Sequence, residues 1–230
     1  MKKSHTLLVF FVSLGCCLGQ TPFDFVRDWP APASGENQSS GNPGTVSLAS
    51  LRHKIPGKAF AAFSRALKLA HRRDWRQGAK ELETAVALDP EFSDAHGNLG
   101  VYYIMLEQFN QAVVELRRAI ALDHATSIHH SNLALAYILL HRPNEAKTEA
   151  QTAVELDSRN ARGQYLLGFL LAANPAARAD AMKRLNFAAQ EVPDAHLILG
   201  SIYRADGDNT KAHLELERYE KAVADFKGSY

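Results

Sequence analysis

The sequence predicts an all-α chain of paired helices that repeat every 34 residues. Three segments carry this prediction: Ala-Val-Ala-Leu-Asp begins at Ala85, Ala-Ile-Ala-Leu-Asp at Ala119 and Ala-Val-Glu-Leu-Asp at Ala153. Such regular spacing is typical of stacked helical hairpins, because one hairpin cannot bury its apolar face alone and needs a neighbour. Small residues that would allow close helix contact recur in register, namely Gly100, Ala134, Gly168 and Gly200.

The second unit shows the pattern most completely. It places Leu99 before Gly100, Tyr103 three residues later, and then Ala112 and Leu116 in the second helix. Through this motif the chain resembles the tetratricopeptide repeat family, from about residue 58 to about residue 226. The resemblance implies a right-handed α-solenoid of about five helix-turn-helix repeats within residues 58–230. The expected repeats are residues 59–92, 93–126, 127–160, 161–193 and 194–227.

The remaining units keep parts of the motif. The first keeps its closing Pro90 but lacks the tyrosine, the third has Tyr137, and the fifth has Tyr203. The fourth needs one inserted residue before its second helix comes into line. Turn chemistry supports the same boundaries: Pro143 and Pro175 stand where a helix is expected to begin, Asn174 can cap the second of these, and Asp206-Gly207-Asp208 predicts the last turn within a hairpin.

The first 19 residues have the pattern of a secretory signal peptide. Lys2 and Lys3 precede an apolar run at residues 7–14, and small residues follow. The run is too short to predict a membrane-spanning helix. Cleavage after Gly19 would leave Gln20 as the first residue of an exported protein, periplasmic or secreted.

Both cysteines lie inside that segment, so the cleaved chain would have neither a thiol nor a disulfide. Residues 13–16, Ser-Leu-Gly-Cys, partly match a bacterial lipoprotein signal, and the alternative is therefore a lipidated Cys16 that anchors the protein to a membrane. The short signal with paired lysines favours a bacterial source. Residues 20–45 are rich in Pro, Gly and Ser and predict a flexible linker, and residues 46–57 predict a cap on the first hairpin.

The charge is balanced, with 26 basic and 25 acidic residues and a net charge of +1. This balance argues against nucleic acid as a partner. One local basic cluster, at the turn of the first hairpin, is interpreted as a solvated face that could still contact an anionic surface. It contains His71, Arg72, Arg73, Arg76 and Lys80.

The ten histidines raise the question of catalysis. His96, His130 and His196 occupy equivalent repeat positions, which places them on different hairpins, too far apart to share one zinc ion. His129 and His130 with His124 form the only tight group, and we expect surface or inter-repeat roles for them. The repeats contain no nucleophile elbow, phosphate loop or His-Glu-x-x-His motif. The sequence therefore predicts a protein that is not an enzyme and has no metal or cofactor.

The family resemblance also suggests where a partner would bind. In tetratricopeptide proteins the first helix of each hairpin lines a concave groove, mainly through its second, fifth, ninth and twelfth repeat positions. Carried onto this chain, the rule selects an apolar lining with one cation: Val101, Ile104, Ile128, Ser131, Leu135, Ile138, Arg162, Tyr165 and Phe169. Such a groove suits an amphipathic helix or an extended peptide, although each of these residues could equally be core. Asn98 and Asn132 match a carboxylate-clamp position, but the lysines of that clamp are missing.

The leading hypothesis is a non-catalytic scaffold or assembly factor of the cell envelope that binds a protein or peptide in this groove. One alternative is a structural module that associates with itself, through a hairpin edge or near Phe60 and Phe63. Another is an accessory subunit of an envelope enzyme complex. The identity of the partner and the oligomeric state are not encoded in any recognisable motif.

Overall fold

A computed structural model describes residues 53–227, with side chains described as far as residue 224. These residues form ten α-helices in five consecutive hairpins, so the predicted all-α repeat architecture is confirmed. The helices are α1 (Gly57–Ala70), α2 (Trp75–Leu88), α3 (Ser93–Met105), α4 (Phe109–Leu122), α5 (Ser127–Leu139), α6 (Pro143–Leu156), α7 (Ala161–Ala172), α8 (Arg178–Ala188), α9 (Ala195–Ala205) and α10 (Asn209–Lys227).

The described chain divides into two compact units. The first contains residues 53–160, with the hairpins α1–α2, α3–α4 and α5–α6, and the second contains residues 161–227, with α7–α8 and α9–α10. Within each unit the second helix of one hairpin packs against the first helix of the next. Each hairpin therefore buries its apolar side partly against its own partner helix and partly against its neighbour.

The predicted helix starts agree with the structure, with one correction. Pro143 is the first residue of α6, where a missing amide N–H leaves no hydrogen bond unmade. Asn174 accepts a hydrogen bond from the N–H of Ala176 at 3.1 Å, as predicted for a cap. However, Pro175 begins a three-residue 3-10 turn, Pro175–Ala177, and α8 starts only after it. The extra turn takes up the inserted residue of the fourth repeat.

The turn inside a hairpin has the same backbone form at four places. Arg73, Glu107, His141 and Gly207 have φ angles of 54°, 62°, 57° and 82°, in the left-handed region that suits glycine. The residue after each donates its N–H to a carbonyl five residues earlier, as Gln108 does to Tyr103 at 2.8 Å. These are the bonds of a Schellman helix end. Of these four residues, only Gly207 is of a type that predicts this conformation from the sequence.

Tyrosines connect neighbouring hairpins of the first unit. The Tyr103 hydroxyl donates to Glu83 on α2 at 3.0 Å, and the Tyr137 hydroxyl accepts from Nε of Arg117 on α4 at 3.0 Å. These contacts place both rings between hairpins. Tyr102 is fully buried and donates to the carbonyl of Ala66 at 2.8 Å. It thereby supplies the aromatic contact that the first repeat lacks in its own sequence.

The segments before residue 53 lie outside the described residues. These are the predicted signal peptide, with Cys16, Gly19 and Gln20, the linker of residues 20–45 and most of the predicted cap. At the described end of the cap, Nε2 of His53 lies 2.7 Å from a carboxylate oxygen of Asp89, in the turn between α2 and α3. Residue 53 is thus held against the first hairpin.

Candidate functional site

Neighbouring first helices contact each other in the first unit. α3 contacts α5 directly, in addition to the contacts that each makes with its own second helix. The corresponding contact in the second unit joins α7 and α9. Within a hairpin the recurring small residues allow close packing: a Cβ atom added to Gly100 would lie 2.5 Å from Leu116, so α3 and α4 approach closely. We call the surface formed by α1, α3 and α5 the first-helix face.

The nine predicted groove residues differ in their exposure. Six lie on the adjacent helices α3 and α5, and three lie on α7 of the second unit. Ile128 is exposed, with 37% of its surface accessible, and Arg162 is half-buried. The others are buried: Val101, Ile104, Ser131, Leu135, Ile138, Tyr165 and Phe169. Burial raises the pKa of the Tyr165 hydroxyl well above its usual value.

Two further exposed residues share the register of Ile128 and are absent from the groove that the family rule selects. Phe60 and Asp94 precede Ile128 by two repeats and one repeat, near the starts of α1 and α3. Phe60 is 55% exposed and Asp94 is also exposed. The interval of 34 residues was the signal that could have found them. We call Phe60, Asp94 and Ile128 the exposed row, since they are the accessible side chains of one repeat position.

The asparagine at the clamp position serves its own helix. The side-chain N–H of Asn98 donates to the carbonyl of Asp94 at 2.8 Å, one turn earlier in α3. Its Oδ1 atom is buried and has no hydrogen-bond partner among the described residues. Asn132, at the same position in the next repeat, is buried. Because the Asn98 N–H group is already engaged within α3, its contribution here is to that helix.

The histidines at equivalent positions form a repeated, partly buried pair with a glutamate. Nδ1 of His96 donates to Glu115 at 2.7 Å, His130 to Glu149 at 2.7 Å, and His196 to Glu215 at 2.6 Å. Each pair joins the two helices of one hairpin, and the glutamate follows its histidine by 19 positions. The expectation of a surface or inter-repeat role is therefore wrong for His130. In the fourth repeat a hydrogen bond between Arg184 and Gln164, at 3.0 Å, takes this place.

His129 is buried between two hairpins, which fits the inter-repeat alternative. Its Nε2 lies 3.2 Å from the Ser93 hydroxyl, which donates to the carbonyl of Ala119 at 3.1 Å. The ring occupies the space left by Gly97, where an added Cβ would lie 2.4 Å from the imidazole. Burial lowers the pKa of His129 to about 4, although nearby Asp123 opposes the shift. The ring is therefore neutral at pH 7 and has a packing role.

Comparisons with known proteins bear on the fold. No protein-family model and no curated protein matches the chain. Solved structures do match. A thermophilic TPR protein of Thermus thermophilus is 17% identical, with a TM-score of 0.62 over 74% of this chain and 94% of that one. PilF of Pseudomonas aeruginosa is 20% identical, with a TM-score of 0.62 over 71% of this chain and 76% of that one. The chain has a tetratricopeptide repeat fold.

A third solved structure of this fold concerns ligand binding. YrrB, a TPR protein with an unusual peptide-binding site, is 20% identical, with a TM-score of 0.53 over 70% of this chain and 84% of that one. At such identities the likeness establishes the fold of the repeat array and not the residues of a site. The exposed row is therefore defined by the geometry of this chain alone.

In the described part of the repeat array, exposed surface is more prominent than clusters of reactive side chains. Within residues 53–227, no cluster of three or more His, Cys, Asp or Glu side chains is arranged to hold a metal ion. The histidine–glutamate pairs are held inside hairpins, and His129 is closed off from solvent. None of the described helices is both long and apolar enough to cross a membrane. What the first-helix face can do chemically is to bury apolar side chains and pair a cation with Asp94.

Proposed function

We propose that this chain is a non-catalytic scaffold that holds a segment of a partner protein on its first-helix face. The observation that carries the proposal is the exposed row, which presents apolar, acidic and apolar side chains at one repeated position. Stacked hairpins keep such a row rigid, so binding costs little ordering of the scaffold itself. The peptide-binding site of YrrB, which has the same fold, supports this kind of function by analogy.

The exposed row defines the chemistry of the partner. Neighbouring packed helices lie roughly 10 Å apart, so Asp94 on α3 and Ile128 on α5 are separated by about three residues of an extended peptide or two turns of a helix. A matching segment places an apolar side chain against Ile128, and a lysine or arginine against Asp94. This favours a basic, amphipathic segment over a purely apolar one, which refines the groove expected from the sequence.

The proposed location is outside the cytoplasm of a bacterium. Support comes from the sequence alone, in the two lysines followed by the apolar run at residues 7–14. The intact mass of the protein isolated from its native cells tests this proposal. A chain that begins at Gln20 supports an exported scaffold, a lipid on Cys16 supports a membrane-anchored one, and a retained Met1 contradicts export.

Peptide selection tests the binding function directly. The full chain is used to select from a library of displayed random peptides, and the affinity of the best peptide is measured by fluorescence anisotropy. Burying the exposed part of Ile128 contributes about 1 kcal/mol, so Ile128→Ser should weaken binding roughly fivefold. Val114→Ser is the matched control, because Val114 is 63% exposed but lies on α4, a second helix. Failure to select any peptide, or equal losses in both variants, would contradict the proposal.

Self-association is a second candidate because of one observation at the start of the array. Phe60 is largely exposed, and its ring lies 6.5 Å from that of buried Phe63. A second copy of the chain could cover this ring. Sedimentation equilibrium distinguishes the two functions: a mass that rises with concentration and falls back in Phe60→Ser favours self-association, whereas a constant monomer mass leaves peptide binding as the function.

A further inference from the structure

The turn of the first hairpin carries a group of exposed cations. Lys68 lies in the last turn of α1, Arg72 lies in the turn that follows this helix, and Arg76 and Lys80 lie on the first turns of α2. All four side chains are exposed. Among the described residues, no carboxylate lies within ion-pair distance of any of them. The nearby Asp74 accepts a hydrogen bond from the N–H of Gln77 and caps α2. We call these four cations the basic turn.

The other repeats show that the fold does not require this charge. The same left-handed turn occurs in the second and third hairpins. There the position of Arg72 is held by Leu106 and Leu140, that of Arg76 by Asn110 and Asn144, and that of Lys80 by Val114 and Thr148. Since equivalent positions have the same backbone role, the cations are an added property of the first hairpin.

The arrangement of the basic turn indicates the shape of its partner. Residues 76 and 80 are spaced four apart on α2, so this pair extends about 6 Å along the helix, while Lys68 and Arg72 lie at the end of α1 and in the turn beyond it. The two helices lie roughly 10 Å apart. The charges are therefore spread over the end of a hairpin instead of converging on one point. Such a set matches several anionic groups presented side by side on a surface.

We propose that the basic turn docks this protein on the surface of a bilayer that contains anionic lipids. Because the net charge of the chain is near zero, the chain as a whole is attracted only weakly to an anionic surface, and the basic turn supplies a local attraction. Half-buried Trp75 lies within the basic turn and packs edge-on against Tyr102, with ring centres 5.3 Å apart. Tryptophan is favoured at membrane interfaces, which agrees with a bilayer as the partner.

Vesicle binding tests this proposal with the full chain. Co-sedimentation is measured with vesicles of phosphatidylcholine alone and with vesicles that also contain phosphatidylglycerol, and the increment caused by phosphatidylglycerol is the readout. This increment separates the basic turn from any apolar insertion elsewhere in the chain. Each surface cation contributes roughly fivefold in affinity, so Arg72→Gln, Arg76→Gln and Lys80→Gln together should reduce the increment roughly a hundredfold.

A charge-matched variant provides the control. Lys147→Gln, Lys183→Gln and Arg204→Gln remove the same charge from exposed positions on other hairpins, and this variant should keep its affinity within a few-fold. Circular dichroism and urea unfolding check that both variants remain folded. No increment from phosphatidylglycerol, or equal losses in the two variants, would overturn the proposal. Binding to soluble poly-glutamate that depends on the basic turn, together with no binding to vesicles, would also overturn the proposal, because that result assigns the turn to an acidic polypeptide.

Discussion

Alanine substitution at Gly100 should destabilise the array, whereas the same change at Gly200 should not. An added Cβ at residue 100 would lie 2.5 Å from Cγ of Leu116 and 3.2 Å from the carbonyl oxygen of Ala112. Cγ is the branch point of a fully buried leucine, so relief requires the whole side chain or the helix to move. At Gly200 the nearest atoms are the carbonyl oxygen of Ala212 at 3.3 Å, a tight contact that a shift of a few tenths of an ångström relieves, and Cβ of Glu215 at 3.5 Å, an ordinary contact.

Two effects of opposite sign set the size of the change. Overpacking of this kind costs about 1–3 kcal/mol, whereas replacing glycine by alanine inside a helix stabilises by about 1 kcal/mol. Because the clash at Gly100 is with the branch point of a buried leucine at 2.5 Å, its cost belongs to the upper part of that range, about 2–3 kcal/mol, and Gly100→Ala should lower the free energy of unfolding by about 1–2 kcal/mol. Gly200→Ala should leave it unchanged or raise it by up to about 1 kcal/mol. Gly168→Ala should lie between them, since its Cβ would approach Leu185 to 2.9 Å.

Urea unfolding followed by circular dichroism measures these differences. Leu116→Ala removes the clashing atoms, so adding Gly100→Ala in that background should no longer destabilise, although Leu116→Ala alone costs about 2–5 kcal/mol. A neutral or stabilising effect of Gly100→Ala in the natural background would refute the reasoning. A persistent loss in the Leu116→Ala background would place the clash elsewhere.

Three further predictions follow from single contacts. The pKa of His129 is about 4 in the folded chain but near 6.5 when unfolded, so the unfolded chain takes up a proton first as the pH drops. The free energy of unfolding should therefore fall through this window, by up to about 1.4 kcal/mol per pH unit. Urea unfolding at a series of pH values should show a smaller dependence of this free energy on pH in His129→Gln. Glu149→Ala leaves buried His130 without its acceptor and should cost about 1–3 kcal/mol in urea unfolding, whereas Glu155→Ala on the exposed face should be neutral. Glu107 has a left-handed backbone conformation, which costs a residue with a Cβ atom about 1–2 kcal/mol. Glu107→Gly removes this strain at an entropic cost of about 0.5–1 kcal/mol, so it should raise the thermal midpoint of unfolding.

The helical repeats were predictable because packing imposes a register on the sequence. The close contact at Gly100 and the buried leucine opposite it recur at fixed intervals, and a repeat interval is readable without knowing any contact. The histidine–glutamate pairs were also readable in principle, since Glu115, Glu149 and Glu215 each follow their histidine by 19 residues. They went unrecognised because equivalence between repeats was considered only among the histidines.

Other features could not be deduced from the sequence. The ring of His129 fills a space at Gly97 in the preceding hairpin, and two residues 32 apart do not share a repeat position. Arg73, Glu107 and His141 are not residues that favour a left-handed backbone, so nothing local marks those turns. For the candidate site, the family rule selects the face of the first helices but not the exposure of each side chain. Exposure depends on how closely neighbouring hairpins pack, and it singled out Ile128 together with Phe60 and Asp94.

Site-specific photo-cross-linking tests most directly whether the first-helix face holds a partner. Benzoylphenylalanine is placed at residue 128 or, as a control, at residue 114 of the full chain, and each variant is irradiated in the native cells. The account predicts one recurring protein adduct from residue 128, absent from residue 114 and reduced when Asp94→Asn is added. Adducts that form equally from both positions, or from neither, would contradict it.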